Sequence, residues 1–190
     1  MRFSVLYVCT GNICRSPAAE LLFRARIGAA PVDVASAGTS GLSGHDVDLP
    51  TATVLRELGV DPSGHAARRL SARMITDADL VLTAAGTHRS SAVQLEPLTF
   101  RRTFTMREFA RLGRDMPAAD EPATAESLRH RVSAVAARRG IVEPAPPGGD
   151  DIADPFGAGM DAARLAVSSV SEAVDGVIRA LGLVVVRSVS

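Results

Sequence analysis

The sequence predicts an α/β protein, a single domain built on a four-stranded parallel sheet with helices on both faces. Three observations lead there. Short apolar runs at residues 3–8, 32–36, 78–83 and 97–100 have the length of buried strands. Stretches rich in helix formers separate them, and strands that alternate with helices make parallel sheets covered on both sides. A chain of 190 residues without an internal repeat fits one domain.

Phe3 to Val8 is the first strand. Ala18 to Arg26 is a run of good helix formers, with Pro17 in the first turn and Ser16 placed to cap it. Val32 to Ser36 is a second short strand, closed by Ala37-Gly38-Thr39. Residues 40–50 form a loop, 51–58 a helix with Gly59 as its stop, and Ser71 caps a short helix at 72–75. Ala78 to Thr83 is the third strand and Gly86 to Leu95 a helix. Pro97-Leu98-Thr99-Phe100 stands for the fourth strand, and Met106 to Leu112 is a further helix. From 113 to about 150 the chain turns rich in Pro, Ala and Gly, an insertion inside the single domain 1–190. Within it, 123–139 reads as a helix with Leu128, Val132 and Val135 on one side. Residues 160–181 form a long amphipathic helix carrying Leu165, Val170, Val174, Val177, Ile178 and Leu181. The apolar tail Leu183 to Val186 reads as an extra strand, a packing segment or an association edge, which leaves the chain a monomer or a weak dimer.

Composition narrows the function. The formal net charge is zero, so bulk attraction to nucleic acid is not expected. All 21 basic residues are arginine, which excludes Schiff-base chemistry and a lysine-based phosphate loop. The two cysteines, Cys9 and Cys14, are too few for a secreted disulfide framework or a four-cysteine zinc site. Met1-Arg2 leads straight into a strand, and no apolar run approaches a membrane span. A cytoplasmic protein without membrane insertion is expected.

Between the first strand and the first helix lies Cys9-Thr10-Gly11-Asn12-Ile13-Cys14-Arg15-Ser16-Pro17. A tight loop at a helix N-terminus points backbone N–H groups inward and makes an anion site. Those groups would hold a thiolate or a phosphate alike. Arg15, six residues after Cys9, can return across the loop and grip two anion oxygens with its planar fork, and Ser16 can donate its hydroxyl to the sulfur. A nucleophile at one end and a phosphate clamp at the other give the spacing a mechanism.

This nine-residue loop resembles that of the low-molecular-weight protein tyrosine phosphatases. The resemblance recurs at Ser36-Ala37-Gly38-Thr39, His65-Ala66-Ala67-Arg68 and Asp154-Pro155-Phe156-Gly157, and covers roughly residues 1–112 and 150–182. It implies a flavodoxin-like sheet, no cofactor and no metal. It implies catalysis by Cys9 as nucleophile, Arg15 as clamp and Asp154 as general acid, with a cysteinyl-phosphate between two steps. Thr10, Gly11, Asn12, Ile13, Cys14 and Ser16 would surround the phosphate, and Leu42 and Phe156 would wall the cleft. Leu42 stands where some relatives carry an aromatic residue. Ser36 and His65, with Asn12, would hold the loop's shape, Asn12 tolerating left-handed backbone. Cys14 would pair with Cys9 on oxidation. The implied substrate is a tyrosine-phosphorylated protein, with a bacterial tyrosine kinase as partner. His45, His88 and His130 show no partner pattern and read as surface or turn residues.

Two other readings use the same loop. Arsenate is a phosphate analogue, and a reductase using an external small thiol fits; an internal cysteine relay does not, because no cysteine follows Cys14. Asp154 argues against reduction, which needs no leaving-group acid. A phosphate-binding module without catalysis would not need all three reactive residues.

Overall fold

The computed structural model describes residues 2–119 and 122–185. Strand β1 (Phe3–Cys9) pairs in parallel with β2 (Val32–Gly38) on one side and β3 (Leu80–Thr83) on the other. Strand β4 (Thr103–Thr105) closes the order β2-β1-β3-β4. The chain leaves β1 toward one edge and returns on its other side. The carboxyl end of β1 therefore lies at a topological switch point, where open α/β sheets bind ligands. Cys9 is the last residue of that strand.

Two-residue periodicity sorts β1 between the layers. Phe3, Val5, Tyr7 and Cys9 join a large buried cluster with Leu22, Phe23, Val170 and Val174, from α1 (Arg15–Ile27) and α7 (Gly159–Ala180). Leu6 and Val8 face the opposite way, onto Ile75 and Ala92 of α3 (Ala72–Asp77) and α4 (Gly86–Leu95). Helix α2 (Leu49–Glu57) adds Val54 and Leu55 to the larger cluster, and α5 (Met106–Leu112) adds Phe109 and Leu112. On α7 the expected apolar face is buried, except Leu165, which is exposed.

The expected fourth strand is displaced. Residues Pro97–Arg102 form a 3-10 helix, and β4 begins only at Thr103. Pro97 opens a turn in which the Thr99 N–H donates to Glu96, and the Thr103 hydroxyl reaches back to the Thr99 carbonyl. Leu98, apolar as a strand residue would be, is 97% exposed.

Helix α6 (Ala125–Ala137) starts at Thr124, whose hydroxyl accepts from Ser127 N–H in a capping box. Leu128, Val132 and Val135 are buried as expected and belong to the same cluster as Phe3 and Val174. Arg129 pairs with Asp79 at 2.7 Å, just before β3 begins. That contact lies at the amino-terminal ends of the strands, opposite Cys9. Past α7, Leu183 is buried and Val185 packs against the core, while Val184 is exposed. The segment packs rather than pairing as a strand; Val186 lies outside the described residues.

Candidate active site

The loop after β1 is held from outside by its own carbonyls. Those of Cys9, Thr10, Gly11 and Ile13 accept from Thr39, Ser40, Leu42 and Asp48 N–H at 2.9–3.0 Å. The Asn12 carbonyl accepts from His65 Nε2 at 2.7 Å, and that of Cys14 from Ala18 in α1. All the peptides are trans, so each N–H points opposite to the carbonyl before it. Six outward carbonyls thus turn the N–H groups of residues 10–15 toward the loop's centre, beside the positive end of α1. The close approach of β2 needs Gly38: a Cβ there would lie 2.3 Å from the Thr10 carbonyl oxygen.

Asn12 organises the underside. Its φ is 58°, a left-handed backbone that asparagine adopts at modest cost. Its amide donates to Ser16 Oγ at 3.0 Å and Ser36 Oγ at 2.8 Å, and its Oδ1 accepts from Arg68 N–H at 2.9 Å. The Ser36 hydroxyl donates to Glu20 Oε2 at 2.6 Å. Ser16 Oγ stands 2.9 Å from Cys9 Sγ. Asn12, Ser16 and Ser36 are buried beneath the loop and His65 reaches it from below, whereas Thr10, Gly11, Ile13 and Cys14 line the cleft above. Ser16 is not the cap expected from the sequence. Helix α1 begins at Arg15 with Cys14 in the cap position, which frees the Ser16 hydroxyl for the sulfur.

Arg15 is 5% exposed and ties the loop to a segment nearly 140 residues later. It donates to the Ile152 carbonyl at 3.0 Å and to Asp154 Oδ2 at 2.5 Å. Its Nε is buried without a partner, a cost of about 1–3 kcal/mol that an oxyanion on the loop would relieve. Asp154 Oδ1 accepts from Phe156 N–H, so the carboxylate is aimed by its own turn. The cleft above Cys9 encloses about 260 Å³. Leu42 and Phe156, 40% and 60% exposed, form its outer walls. Burial pushes the Cys14 thiol up to about 12. Among the described residues no three His, Cys, Asp or Glu gather as a metal site.

His88 overturns its reading as a surface residue. It is buried, and its Nε2 lies 2.8 Å from Thr10 Oγ1. Glu20 and Ser40 also belong to the site or its support without having been singled out, and so does Arg68, which was given no role there: its N–H donates to Asn12 Oδ1 and its Nε to the Ser36 carbonyl. Arg68 could have been found, since it ends the His65-Ala66-Ala67-Arg68 run; Glu20 and Ser40 carry no local signal.

Known proteins share this fold. Low molecular weight protein-tyrosine-phosphatase Etp of Escherichia coli (strain K12) is 44% identical over 94 residues, 50% of this chain and 62% of Etp's own length. The tyrosine phosphatase AmsI of Erwinia amylovora superposes with a TM-score of 0.69 at 25% identity, covering 94% of this chain and 92% of that one. The YwlE arginine phosphatase of Geobacillus stearothermophilus gives 0.67 at 26% identity, covering 92% and 89%. Residues 4–140 match the model of one family, running from β1 past α6 and through the whole loop around Cys9. The chain belongs to the low molecular weight phosphotyrosine protein phosphatase family.

Proposed function

We propose that this protein is a phosphatase that hydrolyses phosphotyrosine in proteins through a cysteinyl-phosphate. The observation that carries the reading is the convergence of Cys9, Arg15 and Asp154 on one cleft, with the Arg15 guanidinium 2.5 Å from Asp154 Oδ2. In the first step the Cys9 sulfur attacks phosphorus in line, and the bond to the tyrosyl oxygen breaks as Asp154 protonates that oxygen. The Arg15 fork and the N–H groups of residues 10–15 bind the equatorial oxygens, where charge builds in the transition state. In the second step the Asp154 carboxylate takes a proton from water as the water oxygen attacks phosphorus. The S–P bond breaks and inorganic phosphate leaves. The Ser16 hydroxyl, at 2.9 Å, stabilises the sulfur as it leaves.

Arg15 donates to Asp154 Oδ2 and holds the carboxylate over the cleft, where it would meet the leaving oxygen. Ile13, Leu42 and the Phe156 ring give the cleft apolar walls for a flat tyrosyl ring. A tyrosine-phosphorylated protein in the cytoplasm is the proposed substrate, and the resemblance implies a bacterial tyrosine kinase as its source. No described helix is long and apolar enough to cross a membrane.

The test is phosphate release from a phosphotyrosine peptide without added metal, for wild type and Cys9→Ser, beside an arginine-phosphorylated peptide. Turnover of the tyrosine peptide that vanishes in the variant supports the reading. Faster turnover of the arginine peptide moves the substrate to phosphoarginine, the activity named for YwlE. No release from either, with reduced thiols, overturns the reading and leaves arsenate with an external thiol to be tried.

A further inference from the structure

We infer that His88 is a positioning residue that, through Thr10, adds a side-chain hydroxyl donor to the phosphate site. The inference rests on the reading of the loop as a phosphate site and extends it. His88 is the third residue of α4, brought to the loop by the β3–α4 turn. Asp151 Oδ1 fixes that turn by accepting from Gly86 N–H at 2.8 Å. The ring is 6% exposed, with Nε2 2.8 Å from Thr10 Oγ1 and Nδ1 buried without a partner.

Three influences keep the ring neutral. Burial and the neighbouring Arg15 charge hold its pKa below the ordinary histidine value, against the weaker opposing pull of Asp154 and Asp151. The N-terminal turn of α4 disfavours a cation further. A neutral imidazole has one N–H. On Nδ1 that hydrogen would be a buried, unpaired donor, a rare arrangement in folded proteins. On Nε2 it donates to Thr10 Oγ1, so the Nε2–H tautomer follows.

The hydroxyl of Thr10 is then committed. A hydroxyl oxygen accepts two hydrogen bonds and donates one. Thr10 Oγ1 accepts from His88 Nε2 and, at 3.4 Å, from Arg15. Both acceptor positions are filled, so its own hydrogen is left to donate. Thr10 lines the cleft, and the hydrogen's acceptor is an oxygen of the phosphoryl group over Cys9. In this arrangement His88 sets the direction of a dipole rather than touching the substrate.

The roles separate by substitution. Gln places an amide N–H near the Nε2 position; Asn fills part of the space but stops on the Nδ1 side, short of Thr10. Inorganic phosphate binding by calorimetry and kcat and KM on a phosphotyrosine peptide would be measured for Thr10→Val, His88→Ala, His88→Asn, His88→Gln and Thr10→Val/His88→Asn. A hydrogen bond to a charged group predicts a loss of about tenfold to a hundredfold in kcat/KM, and a weaker phosphate Kd, for Thr10→Val, His88→Ala and His88→Asn. His88→Gln recovers most of both, and the double variant is no worse than Thr10→Val alone. Equal losses for Gln and Asn, or additive losses in the double variant, overturn the inference and leave His88 a packing residue. Should His88→Ala fail to fold, the Gln and Asn pair decides. If wild type binds phosphate but releases none from either peptide, the phosphatase reading fails, and the phosphate titration still decides this one. If wild type binds no phosphate, both fail.

Discussion

Cys9 and Cys14 share one loop and are both buried, and their surroundings separate them. Cys9 ends a strand, with the Ser16 hydroxyl at 2.9 Å and the loop's N–H groups around it. Cys14 sits against Ile13 and Ala67. Burial pushes its thiol up to about 12, with Asp48, Cys9 and Asp154 adding to the rise. At pH 8 only about one Cys14 in ten thousand would be a thiolate, the form that reacts. Iodoacetamide at that pH should therefore label one cysteine, Cys9, and inorganic phosphate should slow the labelling. Peptide mass spectrometry checks this: Cys14→Ser should label as wild type does, and Cys9→Ser should resist. A Cys9→Ser protein that labels as fast as wild type would refute the distinction. At this scale the sequence was legible where chemistry follows chain order, as in Cys9 through Ser16. It was not legible for His88, whose role arises only because β3 brings α4 alongside β1.

The segment from Asp150 to Phe156 is fixed almost residue by residue. Asp150 accepts from both Arg111 Nε and Nη2, and the Asp151 carbonyl accepts from Arg107. Ile152 donates to the Ala84 carbonyl and offers its own carbonyl to Arg15. The three aspartates thus divide their work. Asp150 anchors the segment to α5, Asp151 satisfies a free N–H at the start of α4, and Asp154 alone faces Cys9 across the cleft. Replacing Asp154 by Ala should lower kcat on a phosphotyrosine peptide by roughly 10²- to 10⁴-fold, the usual worth of a general acid. Asp151→Ala should cost about 1 kcal/mol of stability, as loss of a helix cap does, and slow turnover only a few-fold. Equal kinetic losses would contradict the assignment of the acid. The elements themselves were largely readable, because apolar periodicity and caps are local. Residues 97–100 were not, because an exposed 3-10 turn with Leu98 and Phe100 has the composition of a strand, and only the tertiary structure reveals that both side chains stay exposed.

The segment 113–150 decides how the molecule behaves as a whole. A cover over the cleft would have to lie near Cys9. Instead Arg129 of α6 reaches Asp79 at the far end of the sheet, and Asp79 also accepts from Ser4 N–H at the start of β1. Leu128 is 1% exposed within the cluster that contains Phe3, Phe109 and Val174. A helix sharing the core should melt with it. Truncating Leu128 to Ala removes apolar contacts and leaves a cavity, at a cost of about 3 kcal/mol. For a chain of this size that corresponds to roughly 6–12 °C in Tm. Because α6 makes none of the cleft's lining, kcat and KM at a temperature where the variant is folded should stay within about twofold of wild type. Thermal unfolding of wild type and Leu128→Ala, followed by helical and by near-ultraviolet signals together, checks both parts. One shared transition moved downward, with kinetics intact, fits a helix built into the core. An unmoved Tm with an altered KM would mean that α6 folds apart from the sheet and acts on the cleft.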